Sequence, residues 1–363
     1  MERRDFLKGA AIAGTAAAAS SLAAPAIAQG VRELKMVMSW PINFPGLGTS
    51  AVRMAKRITQ LSDGKLTVKP YGAGELVPAF QVFDAVSAGD ADIYHSSEYY
   101  FQGKSPAFNF MSAVPFGMTG LETHAWITYG GGQELWDELS AGFNLKALPV
   151  ASTGVQMGGW FRKEINSIDD LQGLKMRMPG LGGEVLRAVG ATPVNLPGGE
   201  IFPALQTGLI DATEWVGPWH DLAFGFYKIT KNYYYPGWHE PGTVGSLGLN
   251  KDLWESLTED QRELITVVVA AEAQVQTAEF NARNQSALDT LINQHGVTLR
   301  RYSDELLARI GEAAADVISD MANSDQMTKR VYESYAAYQK YAMDWAKIGE
   351  LGYMNARALD TDK

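Results

Sequence analysis

The chain has no cysteine among its 363 residues. That absence excludes disulfides, thiolate metal sites and cysteine nucleophiles together. Histidine is also sparse: His95, His124, His220, His239 and His295 are scattered without ligand spacing, and the His239-Glu240 pair lacks the second histidine of a helical zinc motif. No G-x-S-x-G elbow and no P-loop lysine occurs. Positive charge is short as well. A formal net charge of -10 argues against nucleic acid or anionic lipid as a partner, because both reward excess lysine and arginine. It leaves open a small anion, which responds to a local field.

Beyond the N-terminus no run is apolar enough to span a bilayer. The N-terminus reads Arg3-Arg4-Asp5-Phe6-Leu7-Lys8, then an alanine- and glycine-rich stretch to Ala24, Pro25 and Ala26-Ile27-Ala28. This pattern predicts a twin-arginine export signal over residues 1–28, removed after Ala28, and hence a periplasmic protein. A retained anchor is the alternative, but the apolar stretch is shorter than the roughly 20 residues a span needs.

The rest is too long for one ordinary core, and the full chain is 46% hydrophobic, which together predict a globular protein of two lobes. Hydrophobic periodicity gives alternating strands and helices. Strands are expected at 34–39, 65–71, 90–95 and 146–151, with helices at 48–61, 79–88 and 123–139. The same grammar restarts beyond Ala151, with strands at 158–162, 175–178, 192–194 and 211–214. The stretch 108–116 carries Pro115 and reads as irregular. Val244 to Asn250 reads as a strand returning to the first lobe, and 258–294 as a helix long enough to span both. Helices at 303–321 and 324–349 close the chain. The expected division is therefore 29–150 with about 243–275 as lobe I, and 151–242 with about 276–323 as lobe II. Residues 324–363 form a C-terminal helical element. The fold class is α/β, with parallel sheets and a ligand cleft at the strand ends.

One arginine stands out in Gly173-Leu174-Lys175-Met176-Arg177, ahead of Asp211-Ala212-Thr213-Glu214-Trp215. An arginine fork matches a carboxylate through two parallel charge-assisted hydrogen bonds, although most arginines are solvated and an ion-pair role is the bland reading. The same caution applies to Glu214 and Glu240.

The block from Ser152 to Ile165, with Gly173 to Arg177 and Asp211 to Pro218, resembles the solute-binding component of tripartite ATP-independent periplasmic (TRAP) transporters. It is most similar to the α-keto acid-binding branch. Gly72-Ala73-Gly74-Glu75-Leu76-Val77-Pro78, Tyr99-Tyr100-Phe101 and Tyr233 to Trp238 support the likeness. The resemblance implies that Arg177 pairs with a ligand carboxylate. It further implies that Gln156, Glu214, Trp215 (through its backbone carbonyl) and Glu240 hold a metal ion beside the ligand. An oxygen-only set suits a hard cation, sodium or calcium, rather than zinc or copper. Two glutamates and a monoanion give a charge of minus three, which Arg177 and the ion bring toward neutral. The ligand's carboxylate and its C2 oxygen would complete the shell, so a 2-oxo or 2-hydroxy monocarboxylate is expected: pyruvate, another α-keto acid or lactate. Trp215 would also wall the pocket and Tyr100 would donate its hydroxyl.

The resemblance also implies a homodimer, with the aromatic helix face of Tyr332, Tyr335, Tyr338, Tyr341 and Trp345 buried between subunits, and delivery of ligand to the membrane permease. The rival reading is an exported metal-dependent lyase or hydrolase using Glu214 or Glu240 as base.

Overall fold

The computed structural model describes residues 30–359. The twin-arginine segment and its cleavage point lie outside the described residues. No helix among the described residues is long and apolar enough to cross a membrane.

The strands, in chain order, are β1 (Arg32–Met38), β2 (Leu66–Tyr71), β3 (Ile93–Ser96), β4 (Leu145–Ser152), β5 (Gly159–Phe161), β6 (Lys175–Arg177), β7 (Thr192–Val194), β8 (Ala212–Thr213), β9 (Asn232–Tyr235), β10 (Val244–Asn250) and β11 (Thr298–Arg301). They form two sheets. One has the order β2-β1-β3-β10-β4 and the other β11-β9-β5-β8-β6-β7. Neither is wholly parallel, which corrects the expectation. The returning β10 runs antiparallel to β3 and β4, and β5 runs antiparallel to β8 and β9. The reason is topological: a strand that re-enters a sheet from the other lobe arrives without a βαβ crossover to fix its direction.

Two extended segments therefore cross between the sheets, one after β4 and one before β10. They are tied to each other, since the Gln156 amide donates to the Glu240 carbonyl at 3.2 Å and the Thr153 amide to the Thr243 carbonyl at 3.1 Å. The third connection is the Glu259–Asn293 helix, about 52 Å long at 1.5 Å per residue. Thr258 starts it through a capping box with Gln261. Its buried stripe runs Ile265, Val268, Val269, Glu272, Gln276, Phe280, Ala287 and Leu291. It packs on β4, on the Leu47–Leu61 helix and on the Pro218–Phe224 helix. The buried charge of Glu272 is answered by Arg53 at 2.6 Å and Arg57 at 3.3 Å from the first lobe.

The helix expected over 123–139 is two, Gly120–Tyr129 and Gly132–Ala141. Gly131, at φ 85°, turns the chain between them in a conformation that favours glycine. The C-terminal aromatic stripe is also divided. Tyr335 is buried in the first lobe beside Phe110 and Trp126, with its hydroxyl accepting from the Met118 amide at 2.9 Å. Tyr341 and Trp345, further along the Gln326–Ile348 helix, are 73% and 67% exposed. A further helix, Glu350–Ala358, follows and buries none of its residues.

Phe44, in the loop before the Leu47–Leu61 helix, crosses to the second lobe. Its ring stacks on Phe224 at 4.3 Å and meets His220 and Trp215 edge-on at 4.8 and 6.1 Å. The main core thus runs through both lobes at their junction.

Candidate functional site

Arg177 is the last residue of β6, and Glu214 and Trp215 follow directly on the adjacent parallel β8, whose Thr213 is in register with Arg177. Side chains at the C-terminal ends of neighbouring parallel strands converge, which is where open α/β sheets gather ligand groups. Tyr100 comes from the first lobe, in a short turn of helix just past the end of β3. Gln156 and Glu240 come from the two crossing segments.

Arg177 is 1% exposed. Its Nη1 donates to Glu214 Oε1 and, at 3.3 Å, to the Glu214 carbonyl; Nε donates to the Leu196 carbonyl at 3.1 Å. Nη2 donates to the Tyr100 hydroxyl at 3.3 Å, and the guanidinium lies 5.0 Å from the centre of the Trp215 ring. Burial works against the charge, but Glu214 and the surrounding groups outweigh it and raise the Arg177 pKa, so the guanidinium stays charged. The fork expected to be free for a ligand is thus partly engaged: Nε and Nη1 hold the protein, and Nη2 is the nitrogen with hydrogen-bonding capacity left. Tyr100 accepts from it and keeps its own proton to give. This is a narrower carboxylate seat than a free bidentate fork.

Glu240 is the second charged group. Its Oε2 accepts from Gln156 Nε2 at 2.8 Å, from the Thr243 hydroxyl and, at 3.5 Å, from the Tyr99 hydroxyl. Gln156 Nε2 also lies 3.1 Å from Thr153 Oγ1 and 3.0 Å from Thr243 Oγ1. With the amide nitrogen so engaged, Gln156 Oε1 is buried without a donor. Glu214 Oε2 is buried without one too. Burial, and then the negative Glu214 nearby, push the Glu240 carboxyl up to about 7. A cation among these oxygens would reverse both effects.

Those two orphaned oxygens test whether a cation fits. A buried acceptor without a donor costs about 1–3 kcal/mol, and a positive ion is one partner that satisfies acceptors alone. Gln156, Glu214 and Glu240 therefore suit a hard cation. The structure also brings in a residue that sequence spacing passed over, since His239 Nε2 lies 3.4 Å from Glu214 Oε2. Thr243 and the Leu196 carbonyl are further participants that no motif marked, and Tyr99, which lies in a marked stretch, was given no role. The Trp215 ring lies beside the Arg177 guanidinium, and its Nε1 donates to His220 Nδ1 at 3.3 Å. Burial lowers the His220 pKa to about 3, which keeps the imidazole neutral and able to accept.

A cavity of about 640 Å³ opens between the lobes, with Ser39, Pro41 and Phe80 on one side and Asn195, Leu196 and Pro197 on the other. It adjoins the arginine site through two contacts. The Phe80 ring packs against Tyr100 at 4.7 Å, and Leu196 supplies the carbonyl that holds Arg177.

Two sheets bridged by crossing segments, with an arginine and paired glutamates at the junction, define a two-lobed solute-binding protein. The chain belongs to the DctP family, bacterial extracellular solute-binding protein family 7, whose model matches residues 37–325. It is 40% identical over 360 residues, 98% of each chain, to the monocarboxylate 2-oxoacid-binding periplasmic protein of Nostoc sp.. Among solved structures, it resembles a TRAP periplasmic solute-binding protein from Pseudoalteromonas atlantica with bound sodium and pyruvate. The TM-score is 0.87 at 37% identity, covering 90% of this chain and 99% of that one. A TRAP solute-binding protein from Bordetella bronchiseptica is a dimer with copurified calcium and picolinate in one active site and an apo site. It matches with a TM-score of 0.89 at 34% identity, over 91% of this chain and 98% of that one.

Proposed function

We propose that this chain is the periplasmic binding subunit of a TRAP transporter and captures a short 2-oxo monocarboxylate, with pyruvate the simplest, together with a sodium or calcium ion. One observation carries the reading: a buried arginine whose Nη2 keeps one N–H to give beyond its bond to Tyr100, beside carboxylate and amide oxygens that lack donors. In this assignment Arg177 Nη2 and the Tyr100 hydroxyl hold the ligand carboxylate. Gln156, Glu214, Glu240 and the Trp215 carbonyl hold the cation, which supplies positive charge to the ligand's carboxylate and C2 oxygen. The kinship with the Nostoc and Pseudoalteromonas proteins favours a 2-oxo over a 2-hydroxy acid.

The remainder of the ligand extends toward the cavity behind Phe80 and Leu196, where Glu200 on the wall disfavours a second carboxylate. The lobes divide at the crossing segments, into 29–150 with about 243–275 and 151–242 with about 276–323. Ligand bridging Tyr100 in one lobe and Arg177 in the other favours the closed form, which then docks on the permease. Residues 1–28 direct twin-arginine export. A lyase or hydrolase is disfavoured because neither glutamate is free as a base: Glu214 is bound to Arg177, and Glu240 accepts from Gln156, Thr243 and Tyr99. Pyruvate with calcium is expected to raise the melting temperature and to be recovered chemically unchanged. No shift, or conversion of pyruvate, would overturn the assignment.

We also infer a homodimer through the C-terminal helices. Tyr341, Trp345 and Ile348 are exposed beside Leu121 and Ala125 around a second cavity of about 640 Å³. An apolar surface of this kind marks an interaction site. Light scattering at micromolar concentration is expected to give twice the monomer mass, and Trp345→Asp with Ile348→Asp to shift it to monomer. A wild-type monomer mass would refute the dimer.

A further inference from the structure

Asp221 lies buried in the second lobe and has no part in the site as assigned. Its carboxyl nevertheless collects three donors. Oδ2 accepts from Trp160 Nε1 at 3.0 Å and from the Tyr233 hydroxyl at 2.6 Å, and Oδ1 accepts from the Val216 amide at 3.4 Å. Burial pushes the carboxyl up to about 7, and these donors oppose the rise. An acidic group so far from water is costly to keep, and apolar packing of the same volume would serve stability as well.

Trp160 and Tyr233 make a firm anchor. They are paired across β5 and β9, and their rings stack at 4.0 Å and 18°. With Oδ2 tied to that wall, Oδ1 is turned to the peptide that joins Trp215 to Val216. This peptide is trans, so its carbonyl points away from its N–H. Asp221 therefore sets the direction of the Trp215 carbonyl. The carbonyls on either side are already engaged: that of Glu214 accepts from Arg177 and from the Thr213 hydroxyl, and that of Val216 from the Met157 amide at 2.9 Å. No hydrogen bond reaches the Trp215 carbonyl among the described residues. His220, next to Asp221 on the Pro218–Phe224 helix, holds the Trp215 ring through its Nε1. Two adjacent helix residues thus fix one tryptophan at its ring and at its peptide.

We propose that Asp221 is a positioning residue of the binding site, holding the Val216 amide so that the Trp215 carbonyl is aimed at the cation before the ion arrives. This rests on the cation site assigned above. The gain is preorganisation, since a carbonyl already in place spares the ion the cost of ordering it. In this role Asp221 touches neither ion nor ligand and acts through the peptide alone.

Residues 215 and 216 form the only Trp-Val step in the chain. Tryptophan labelled with ¹³C at its carbonyl, together with ¹⁵N valine, therefore gives the full chain a single correlation peak that reports this peptide. At about pH 8, where the Asp221 carboxyl is mostly ionised, ion-free wild type is expected to show one sharp peak whose carbon shift moves when Ca²⁺ is added. Asp221→Asn turns an N–H toward Val216 when its oxygen stays with Trp160 and Tyr233. Its peak should be displaced before any ion is added, and its Ca²⁺ affinity should fall about 10- to 100-fold. Tyr233→Phe removes a donor from the other oxygen and leaves the Val216 bond, so it should lower the melting temperature yet keep Ca²⁺ affinity within about threefold of wild type. Equal losses of Ca²⁺ affinity in the two variants, or a loss under about threefold in Asp221→Asn, would overturn the proposal. Should the asparagine variant fold poorly, wild type still decides: a broad or doubled peak without Ca²⁺, or a carbon shift that Ca²⁺ leaves unmoved, would overturn it too. If wild type nonetheless binds pyruvate in a calcium-dependent way, the functional assignment stands and the role of Asp221 alone falls. If wild type binds neither Ca²⁺ nor pyruvate, both fall.

Discussion

Arg177→Met is expected to abolish measurable pyruvate binding and to destabilise the folded protein by about 3–5 kcal/mol. The size follows from burial on both sides: Arg177 and Glu214 are 1% and 0% exposed and paired, and removing one member leaves a buried charge without compensation. The ligand carboxylate would lose its Nη2 donor as well, and the Tyr100 hydroxyl would lose the cation that orients it. Arg177→Lys separates the two effects. It keeps a positive charge but cannot reach Glu214, the Leu196 carbonyl and Tyr100 from one planar group. Its stability should fall less than that of the methionine variant, whereas pyruvate binding should still weaken by about 2–5 kcal/mol, or roughly thirty- to several-thousand-fold. Calorimetry and urea unfolding read the two quantities independently. Affinity unchanged in Arg177→Lys would remove the arginine from the ligand site.

The second large effect is expected at Glu214, which serves both halves of the site. Oε1 holds Arg177, while Oε2 is buried without a donor beside Glu240 and Gln156. Glu214→Gln preserves the shape and removes one negative charge. The cation then loses a carboxylate, and a fall of about 100-fold in Ca²⁺ affinity is expected, the upper range for a disturbed metal site. Arg177 would at the same time be less neutralised and attract an anion directly. Pyruvate binding is therefore expected to become weak and indifferent to the cation, a change of character that mere loosening of the lobes would not produce. A variant that keeps wild-type calcium dependence would show that Glu214 acts only as a counterion to Arg177.

How far the sequence carried this picture depends on what each residue does. Arg177 and Glu214-Trp215 were legible because the stretches that resemble the family covered both. The helix at 259–293 was legible from periodicity. Sheet direction was not. The antiparallel placement of β10 and β5 depends on the path between lobes, which leaves no local pattern in residues 244–250 or 159–161. The break at Gly131 was passed over because apolar positions continue in helical phase on both sides, and a run of three glycines, 130–132, does not by itself state which of them takes a positive φ.

In the site, the missed participants are those to which no motif assigns a role. The Leu196 carbonyl is a backbone acceptor, and any residue would supply it. Tyr99 lies in a stretch that marked the family but was given no role, and its hydroxyl reaches Glu240 from 141 residues away in sequence. His239 was dismissed for lacking a second histidine at helical spacing. Its neighbours in space are instead a glutamate beside it and one just past a strand end 25 residues earlier, a combination that only the fold assembles. The expectation of a free arginine fork failed for a related reason, because the buried guanidinium must satisfy its own donors with protein groups before any ligand arrives.

The central claim is that a cation and an arginine together read the C2 oxygen of a monocarboxylate. Calorimetric titration of pyruvate and propionate, in calcium and again in chelator-treated, sodium-free buffer, tests it most directly. Pyruvate with calcium is expected to bind at least about 100-fold more tightly than propionate, since a site whose polar groups await the C2 oxygen penalises an analogue lacking it. That advantage should vanish when the cation is withdrawn. Equal affinities for the two acids, or a pyruvate affinity untouched by removing the cation, would contradict the account.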